Sequence, residues 1–304
     1  MKTKNTDPLI SIIVLAFNSA KYILETLESI RLQTYQHIEL IVSDDASSDD
    51  TVTICQQWLA ANTGRFIRTE LITIAENTGT TASCNRGLRA SQGEWIKYIA
   101  GDDALLEKCI EINVQYANAN EGINCIHSEC EHYEDNFSPE NFRGYFKKSH
   151  HRFCQSNITA KEQHHLLLNR NNGVSAPTVF MKTTAVRNVG GFDERMRLLE
   201  DTPLWIKLTE AGYKFYYLEE ATAKYRMHSA SIQRNGRPYM SISFANELIK
   251  FDRIYKQGKV NIYVYHKRLA ILNMIIGFNK AGLNSHSLPS SIIFKILDKL
   301  LKIG

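Results

Sequence analysis

The chain has 304 residues, of which 43% are hydrophobic and 22% are charged, and its formal net charge is +4. This length allows a large buried core, and the composition excludes a disordered or collagen-like chain. Six irregularly spaced cysteines do not form the framework of a small disulfide-rich protein, which indicates a reducing compartment, the cytoplasm. Residues 250–304 contain ten Lys or Arg against two Asp, so a basic tail follows an acidic body and predicts an anionic partner surface.

Strand and helix patterns alternate over the first hundred residues. Four apolar, β-rich runs predict strands at residues 9–17, 38–43, 70–75 and 94–100. Three patterns between them predict helices at residues 22–32, 50–61 and 81–90. This alternation predicts βαβ units and a largely parallel sheet. The first run also resembles a signal peptide, but Asp7-Pro8 interrupts it and no small-residue cleavage site follows, so we interpret it as a buried strand.

The second half of the chain is less regular. It predicts a strand at 178–181, a helix from 201 to 210, a strand at 214–218 and basic helices beyond 236. The polar stretch 136–165 shows no clean period and predicts a mobile loop near the site or a solvated surface. No segment reaches the roughly 18 apolar residues that span a bilayer, so we expect any membrane contact to be peripheral.

Two acidic clusters follow predicted strands, at 44–50 and at 101–103. The carboxyl ends of parallel strands share one edge of a sheet, where ligands bind, and paired carboxylates there suit a hard divalent cation. Asp and Ser also mark turns for purely conformational reasons. The cluster at 125–132, with two Cys and two His, matches no standard zinc spacing and reads better as a strand. No glycine pattern of a dehydrogenase or P-loop enzyme follows the first strand.

An ordered set of motifs carries the most information. The motifs are 15–23, 42–49, Asn77-Thr78-Gly79 with Asn85-Arg86-Gly87, Gly101-Asp102-Asp103, 190–194, Glu200-Asp201 with Trp205, and 225–229. Over about residues 8–235 this order resembles the family 2 glycosyltransferases of the GT-A fold. The resemblance implies an α/β, Rossmann-like mixed sheet, mostly parallel and flanked by helices. It implies a GT-A domain at 1–235, with a nucleotide-binding part at 8–105 and an acceptor and catalytic part at 106–235. A helical basic extension at 236–304 would follow.

The resemblance also implies a nucleotide site and a metal site. The implied contacts of a UDP-sugar are Phe17, Asn18, Asp44, Asp45, Asn77, Gly79, Asn85 and Asp102. Asp45 or Asp44 would accept hydrogen bonds from uracil or ribose, unless these acids only cap a turn or a helix. Mn²⁺ or Mg²⁺ would be held by Asp103, which we expect to be the direct ligand, with Asp102 and His228. The usual D-x-D pattern lacks its first acid here, and a lone His is often structural.

Glu200 and Asp201 match the position of the family's catalytic base. Asp201 would take the proton of the acceptor hydroxyl as that oxygen attacks the anomeric carbon, which inverts its configuration. The alternative is that the two acids only favour a helix start through its dipole. Trp205 would stack on the acceptor or pack in the core.

The chain lacks a motif of the processive members of the family it resembles. The segment Gln233–Arg237 has no Trp to complete the Q-x-x-R-W motif of processive members, so we expect transfer of a single residue. The resemblance implies glucose or galactose transferred to N-acetylhexosamine on undecaprenyl diphosphate, for O-antigen or another surface polysaccharide. The enzyme would lie on the inner face of the bacterial inner membrane, held by an amphipathic helix at 290–304 or with that helix docked on its own core. We expect no nucleic acid partner. A nucleotidyltransferase and a non-catalytic nucleotide-sugar-binding module are the alternatives.

Overall fold

The computed structural model describes residues 7–145, 151–169, 174–228, 240–284 and 288–302. In these ranges the strands are β1 (Ile10–Ala16), β2 (Ile38–Asp44), β3 (Arg68–Ile72), β4 (Trp95–Ala100), β5 (Ala104–Leu105), β6 (Cys125–Glu134), β7 (Phe142–Tyr145), β8 (Phe180–Lys182) and β9 (Phe215–Met227). The helices are α1 (Ile23–Arg31), α2 (Thr51–Asn62), α3 (Thr80–Ala90), α4 (Cys109–Ala119), α5 (Ala160–Asn169), α6 (Thr183–Asn188), α7 (Asp201–Glu210), α8 (Ile242–Phe251), α9 (Ile262–Lys280) and α10 (Leu288–Lys302).

All the described strands belong to one sheet. Its order is β3-β2-β1-β4-β8-β6-β9-β5, and β7 pairs with β6. The run β3-β2-β1-β4 is parallel, and so is the β6–β9 pair, while β8 and β5 run antiparallel to their neighbours. The predicted GT-A-like architecture, a mixed and mostly parallel sheet flanked by helices, is confirmed.

The central strands are buried on both faces, as their continuous apolar sequences predict. Ile10, Ile12 and Val14 of β1 pack on one face with α1, α2 and α4. Ile13 packs on the other face with α3, α6 and α7. Each fully buried Ile or Val side chain contributes about 1.5–3 kcal/mol by removal from water, so these strands are the stable frame on which the loops are mounted.

The polar stretch 136–165 is more ordered than its sequence predicts. Its described part contains β7 and the first residues of α5. Phe142 and Tyr145 of β7 pack their rings on each other at 5.2 Å, and Phe142 also contacts Tyr133 of β6 at 5.4 Å. A four-residue edge strand is too short to reveal its period in the sequence, and residues 136–145 are exposed or half-buried, as the alternative of a solvated surface expects. Residues 146–150, which begin the basic cluster of residues 147–152 in this stretch, lie outside the described residues.

Strand β9 is much longer than the strand predicted at 214–218. It pairs in parallel with β6 along its length, and between Leu218 and Ala221 the pairing shifts by two residues. Glu219 and Glu220 occupy this irregularity and are exposed, so the charged pair interrupts the apolar pattern without ending the strand. The added length carries the chain to His228 at the carboxyl edge of the sheet.

The chain from residue 240 onward is helical in its described part. The last turn of α8 continues as a π-helix, Asp252–Lys256, whose Tyr255 joins the main core. Helix α10 docks Phe294 and Leu297 on a small cluster formed with α8 and α9. Among the described residues, no helix combines the length and the apolar character that crossing a membrane requires. Residues 229–239, which include Gln233–Arg237, are outside the described ranges.

Candidate active site

The carboxyl ends of β1, β2 and β4 meet where the order of strands reverses, between β1 and β4. Ligands of open α/β sheets bind at such a switch point. The loops after β1 and β2 are joined there, because Ser48 N donates to Asn18 Oδ1 and Asn18 N donates to Ser47 Oγ, both at 2.8 Å. Asn18 has a φ of +48°, which Asn tolerates better than most residues. Phe17 and Asn18, both predicted nucleotide contacts, therefore form the rim of this crevice.

Both predicted carboxylates after β2 bind the chain's own loops. Asp44 accepts hydrogen bonds from the hydroxyl and the N–H of Ser47, at 2.5 and 2.9 Å. Asp45 accepts from the backbone N–H groups of residues 78 and 79, at 3.1 and 2.7 Å, and from the Arg86 guanidinium at 2.7 Å. Burial opposes the charge of Asp45, but the hydrogen bonds from these groups hold its pKa below the usual value. Asp44 and Asp45 thus stabilise turns, as the alternative interpretation of these acids expected. Their contacts with a nucleotide stay a prediction.

The predicted nucleotide contacts on the next loop and in α3 hold a second segment in place. Asn85 exchanges hydrogen bonds with the backbone of Phe192, at 2.9 and 3.0 Å. Arg197 donates to the carbonyl and the side-chain oxygen of Asn77, at 2.6 and 2.8 Å. Gly79 has a φ of +95°, and a Cβ there would lie 2.3 Å from Cγ of Arg197, so only glycine fits. These residues join the predicted nucleotide-binding part, residues 8–105, to the segment that leads to Glu200.

The two acids after β4 point in different directions. Asp103 is buried and its Oδ1 accepts the backbone N–H of Arg226 at 2.9 Å. Burial, with the neighbouring Asp102, raises the pKa of Asp103 well above its usual value. The Asp102 side chain is 33% exposed, and its Oδ2 lies 2.9 Å from Nε2 of His228. The geometry therefore favours Asp102 over Asp103 as the direct metal ligand, the reverse of the preference drawn from the sequence.

Asp102 and His228 fit a divalent cation as a partial donor set. No group of three or more His, Cys, Asp or Glu that could hold a metal occurs in the described part of the chain. One carboxylate and one imidazole suit Mn²⁺, and Mg²⁺ keeps waters and takes its other ligands from substrate phosphates. The absent first acid of the D-x-D pattern has a steric reason at Gly101, where a Cβ would lie 2.9 Å from Ile23 Cδ1 and 3.2 Å from the carbonyl oxygen of Leu15.

Arg226 organises this corner of the site, although in the sequence only its place in the motif 225–229 sets it apart. It is 2% exposed. Its Nε donates to the Asp102 carbonyl at 2.7 Å, and its guanidinium forms an ion pair with Glu25. The same group lies over the rings of Tyr22 and Phe137, at 4.5 and 4.0 Å. Because a buried and an exposed Arg look alike in a sequence, only the fold identifies this residue as the support of Asp102.

Glu200 and Asp201 lie together at the amino end of α7. Glu200 stands at the N-cap position but does not cap the helix with its side chain, while Asp201 accepts hydrogen bonds from the N–H and hydroxyl of Thr202. Burial, with the charge of Asp201, raises the pKa of Glu200 to about 8. Burial and, after it, the charge of Glu200 also raise the pKa of the Cys84 thiol in α3. The pair Glu200-Asp201 therefore lies near the predicted nucleotide-binding part of the chain. The raised pKa favours the protonated form of Glu200, which leaves Asp201 as the candidate base.

Two other features noted in the sequence lie away from this site. Trp205 is buried in the core, 5.1 Å from the ring of Phe215 in a T-shaped contact, so it packs rather than stacking on an exposed ligand.

Cys125 and Cys130 of β6 are buried in the cores on opposite faces of the sheet. These cysteines therefore cannot ligate one zinc ion together.

Comparison with known proteins agrees with this geometry. The family model described as "Glycosyl transferase family 2" matches residues 11–175, more than half of the chain. The chain is 27% identical over 237 residues to the putative glycosyltransferase EpsE of Bacillus subtilis (strain 168), with 77% of this chain and 79% of EpsE covered.

Solved structures share the fold. S. aureus TarS 1–349 in complex with UDP-GlcNAc matches with a TM-score of 0.60 and 15% identity, over 93% of this chain and 77% of TarS. The mannosyltransferase PcManGT from Pyrobaculum calidifontis, in complex with GDP-Man and Mn²⁺, matches with a TM-score of 0.56 and 16% identity, over 97% of this chain and 81% of that one. The match of the family model, on a chain whose predicted motifs meet at one edge of the sheet, shows that this protein belongs to glycosyl transferase family 2 and is a glycosyltransferase.

Proposed function

We propose that the enzyme transfers one hexose, glucose or galactose, from a UDP-sugar to N-acetylhexosamine linked by a diphosphate to undecaprenol. The reaction inverts the anomeric carbon and depends on a divalent metal. It serves the synthesis of O-antigen or another surface polysaccharide on the cytoplasmic side of the bacterial inner membrane. The observation that carries this proposal is the pairing of exposed Asp102 with His228 at the switch point, on the edge to which the segment before Glu200-Asp201 is tied.

The donor proposal rests on the crevice between β1 and β4. Phe17 is 47% exposed, so its ring is free to contact a nucleoside base. Arg86 and Arg197 bring cations to the loops that face this crevice, and Arg86 is held by Asp45 at 2.7 Å. The UDP-GlcNAc complex of TarS supports a UDP-sugar over other donors, and the GDP-Man complex of PcManGT names the competing nucleotide.

The metal would be held by Asp102 and His228. When bound, it would neutralise the charge that grows on the departing diphosphate. Arg226 keeps Asp102 in place through the Asp102 carbonyl, and the ring of Tyr22 lies 5.1 Å from that of His228. The first contact holds the backbone of Asp102 and the second restricts the ring of His228 before any substrate arrives, which is part of the preorganisation that metal sites need. The Mn²⁺ in PcManGT supports this part of the proposal.

The chemical step needs one base. The acceptor hydroxyl loses its proton to Asp201 while its oxygen forms a bond to the anomeric carbon. The bond from that carbon to the β-phosphate oxygen breaks on the opposite face, and UDP leaves with the electron pair. Glu200 keeps its proton near neutrality, because burial and the adjacent carboxylate raise its pKa to about 8. The pair therefore divides into one acid and one base, as in other carboxylate pairs.

Neither alternative function has comparable support. A nucleotidyltransferase needs a Gly-rich basic loop after the first strand, but Phe17-Asn18-Ser19-Ala20 stands there. A non-catalytic binding module has no need for the pair Glu200-Asp201, whose mutual repulsion and burial disfavour charge on Glu200.

A panel of UDP-sugars and GDP-sugars tests the donor and the reaction. Each is incubated with Mn²⁺ or Mg²⁺ and a synthetic N-acetylhexosaminyl-diphosphoryl-lipid, and products are analysed by mass spectrometry and linkage NMR. We expect one added hexose, from UDP-glucose or UDP-galactose, with the β configuration. Transfer from GDP-sugars alone, or retention of the α configuration, would contradict the proposal. Binding of UDP without any transfer would favour the binding module.

The membrane part of the proposal rests on α10. The helix docks Phe294 and Leu297 on its own protein but leaves Ile292, Ile296 and Leu300 exposed. These three lie four residues apart and form a stripe along the helix, next to the exposed Lys295 and Lys299. An apolar stripe beside lysines suits an anionic bilayer surface, where burial of the apolar side chains and charge attraction add. The sequence left two alternatives for this helix, docking on the protein's own core or binding to the membrane. One helix can do both, because its docked and exposed apolar residues are different.

We expect that deletion of residues 290–304 abolishes sedimentation with anionic liposomes and lowers activity on long-chain lipid acceptors more than on short-chain analogues. Because the deletion also removes the docked residues, a matched variant replaces only Ile292, Ile296 and Leu300 with Gln. This variant should keep the melting temperature and lose the liposome binding. Replacement of the exposed Leu24 of α1 and Leu32, which directly follows α1, is the control. Unchanged sedimentation of the triple variant at low and high salt would contradict the membrane role.

A further inference from the structure

The C-terminal helices bind the segment that leads to the candidate base. This base segment, residues 193–198, runs from the turn after α6 to Glu200 and Asp201. Glu247 in α8 accepts the N–H of Leu198 at 3.0 Å. Lys250, one turn further on, donates to the carbonyl of Arg195 at 2.6 Å. These contacts join residues that are 49 and 55 positions apart in the chain.

A third contact comes from the π-helix that continues α8. The hydroxyl of Tyr255 donates to Asp193 at 2.5 Å, and Arg195 binds the same carboxylate at 2.7 Å. Burial opposes the charge of Asp193, but the hydrogen bonds from Arg195 and Tyr255 lower its pKa to about 2. Asp193 is therefore ionised throughout the neutral range, and its bonds are charge-assisted, the stronger kind.

Packing alone does not hold the base segment. Met196 is fully buried, but Glu194, Arg195 and Arg197 are exposed. A cavity of about 1140 Å³ adjoins the segment, lined by Asp193, Arg195 and Tyr255 among others. Met196 anchors the middle of the segment in the core, and hydrogen bonds hold the more exposed residues on either side of it.

The support itself is rigid. Phe251 and Tyr255 belong to the same core cluster as the helix α7 that carries Asp201. Asp252, fully buried between them, pairs with Arg268 of α9 at 2.9 Å and with Lys256 at 3.5 Å. Moving one partner of this ion pair away would leave the other charge buried and unpaired, which is costly. The ion pair therefore resists displacement of α8 and the π-helix.

The opposite side of the base segment is tied to the nucleotide half by Arg197 and Asn77, and by Asn85 and Phe192. We propose that Glu247, Lys250 and Tyr255 are positioning residues. They hold the base segment from the C-terminal side and thereby fix the position of Asp201 relative to the donor sugar. The inference rests on the proposed role of Asp201. It makes α8 and the π-helix part of the catalytic unit, separate from the membrane stripe on α10.

The test uses the full-length chain and substitutions that remove one tie each: Glu247→Ala, Lys250→Met and Tyr255→Phe. Each should lower kcat about tenfold or more while KM for the donor changes less than about twofold, since misplacing a catalytic group by 1 Å can cost about 10² in rate. Glu247→Gln keeps an oxygen acceptor and Lys250→Arg keeps a donor, so both should restore most of kcat. Lys259→Met is the control, because Lys259 pairs with the exposed Glu210 at 3.5 Å and not with the base segment.

Hydrogen exchange of the peptide that covers residues 193–201 provides a readout independent of activity. In the three tie-removing variants its amides should exchange faster, with the melting temperature nearly unchanged. Unaltered exchange, or a loss of kcat that the conservative variants fail to restore, would overturn the inference. If the wild-type enzyme transfers no sugar from any donor, the proposed function fails, and the exchange rates still decide whether the helices hold the segment.

Discussion

Asp201→Asn should lower kcat by about 10² or more and leave the affinity for UDP nearly unchanged, because it keeps the shape of the side chain and removes the base. Asp201 stands at the first turn of α7, where its carboxylate accepts hydrogen bonds from Thr202. Asn can accept the same bonds, so the helix should remain intact. Single-turnover rates with saturating donor, together with calorimetric binding of UDP, separate the chemical step from binding.

The matched control is Glu200→Gln, which mimics a protonated Glu200. Because the pKa of Glu200 is raised to about 8, wild-type Glu200 is neutral at pH 7 and ionised above about pH 8. The variant should therefore resemble the wild type at pH 7 and differ from it only above about pH 8, where the wild type gains a second charge beside Asp201. A greater loss in Glu200→Gln than in Asp201→Asn at pH 7 would make Glu200 the base. Full activity of both variants would leave the pair as a helix start alone.

Asp102→Asn should abolish the stimulation of UDP binding by Mn²⁺ and lower turnover by about 10² or more, since the diphosphate loses its protein-anchored counter-charge. EDTA should have the same effect on the wild type. The prediction follows from the exposure of Asp102 and its 2.9 Å contact with His228. Titration of UDP with and without Mn²⁺ measures it directly.

Asp103→Asn distinguishes the two neighbouring acids. The carboxylate is buried and accepts the N–H of Arg226 at 2.9 Å, a bond that the Asn oxygen can also accept. We expect turnover within about tenfold of the wild type, with a lower melting temperature from the altered buried polar group. If Asp103→Asn instead loses the Mn²⁺ effect while Asp102→Asn keeps it, the preference drawn from the sequence was right and the geometric one is wrong.

The nucleotide half could be read from the sequence because its pattern is local. Strands β1, β2 and β4 are rich in buried apolar residues, and acids follow at the carboxyl ends of β2 and β4. Parallel strands bring those ends to one edge whatever the details of packing. For this reason the predicted contacts Phe17, Asn18, Asp45 and Asp102 all lie in loops at the same edge.

The C-terminal half was harder to read because its signals are mixed. Charged residues interrupt β9, and β7 has only four residues, so neither shows a clean period of two. The sequence also offered no means to see that the segment 193–198 is held by α8, since its partners are 49 and 55 residues away and of ordinary polar type.

The amino-acid sequence by itself determined the family, the order of the motifs along the chain and the candidate acids. These features depend on residue type and on the local periodicity of apolar residues. Only the tertiary structure decided which member of the pair Asp102-Asp103 faces outward. Adjacent residues point in different directions, and the backbone of Arg226, 123 positions from Asp103, accommodates one carboxylate and leaves the other exposed beside His228. Long-range packing sets that choice, and no local pattern of residues encodes it.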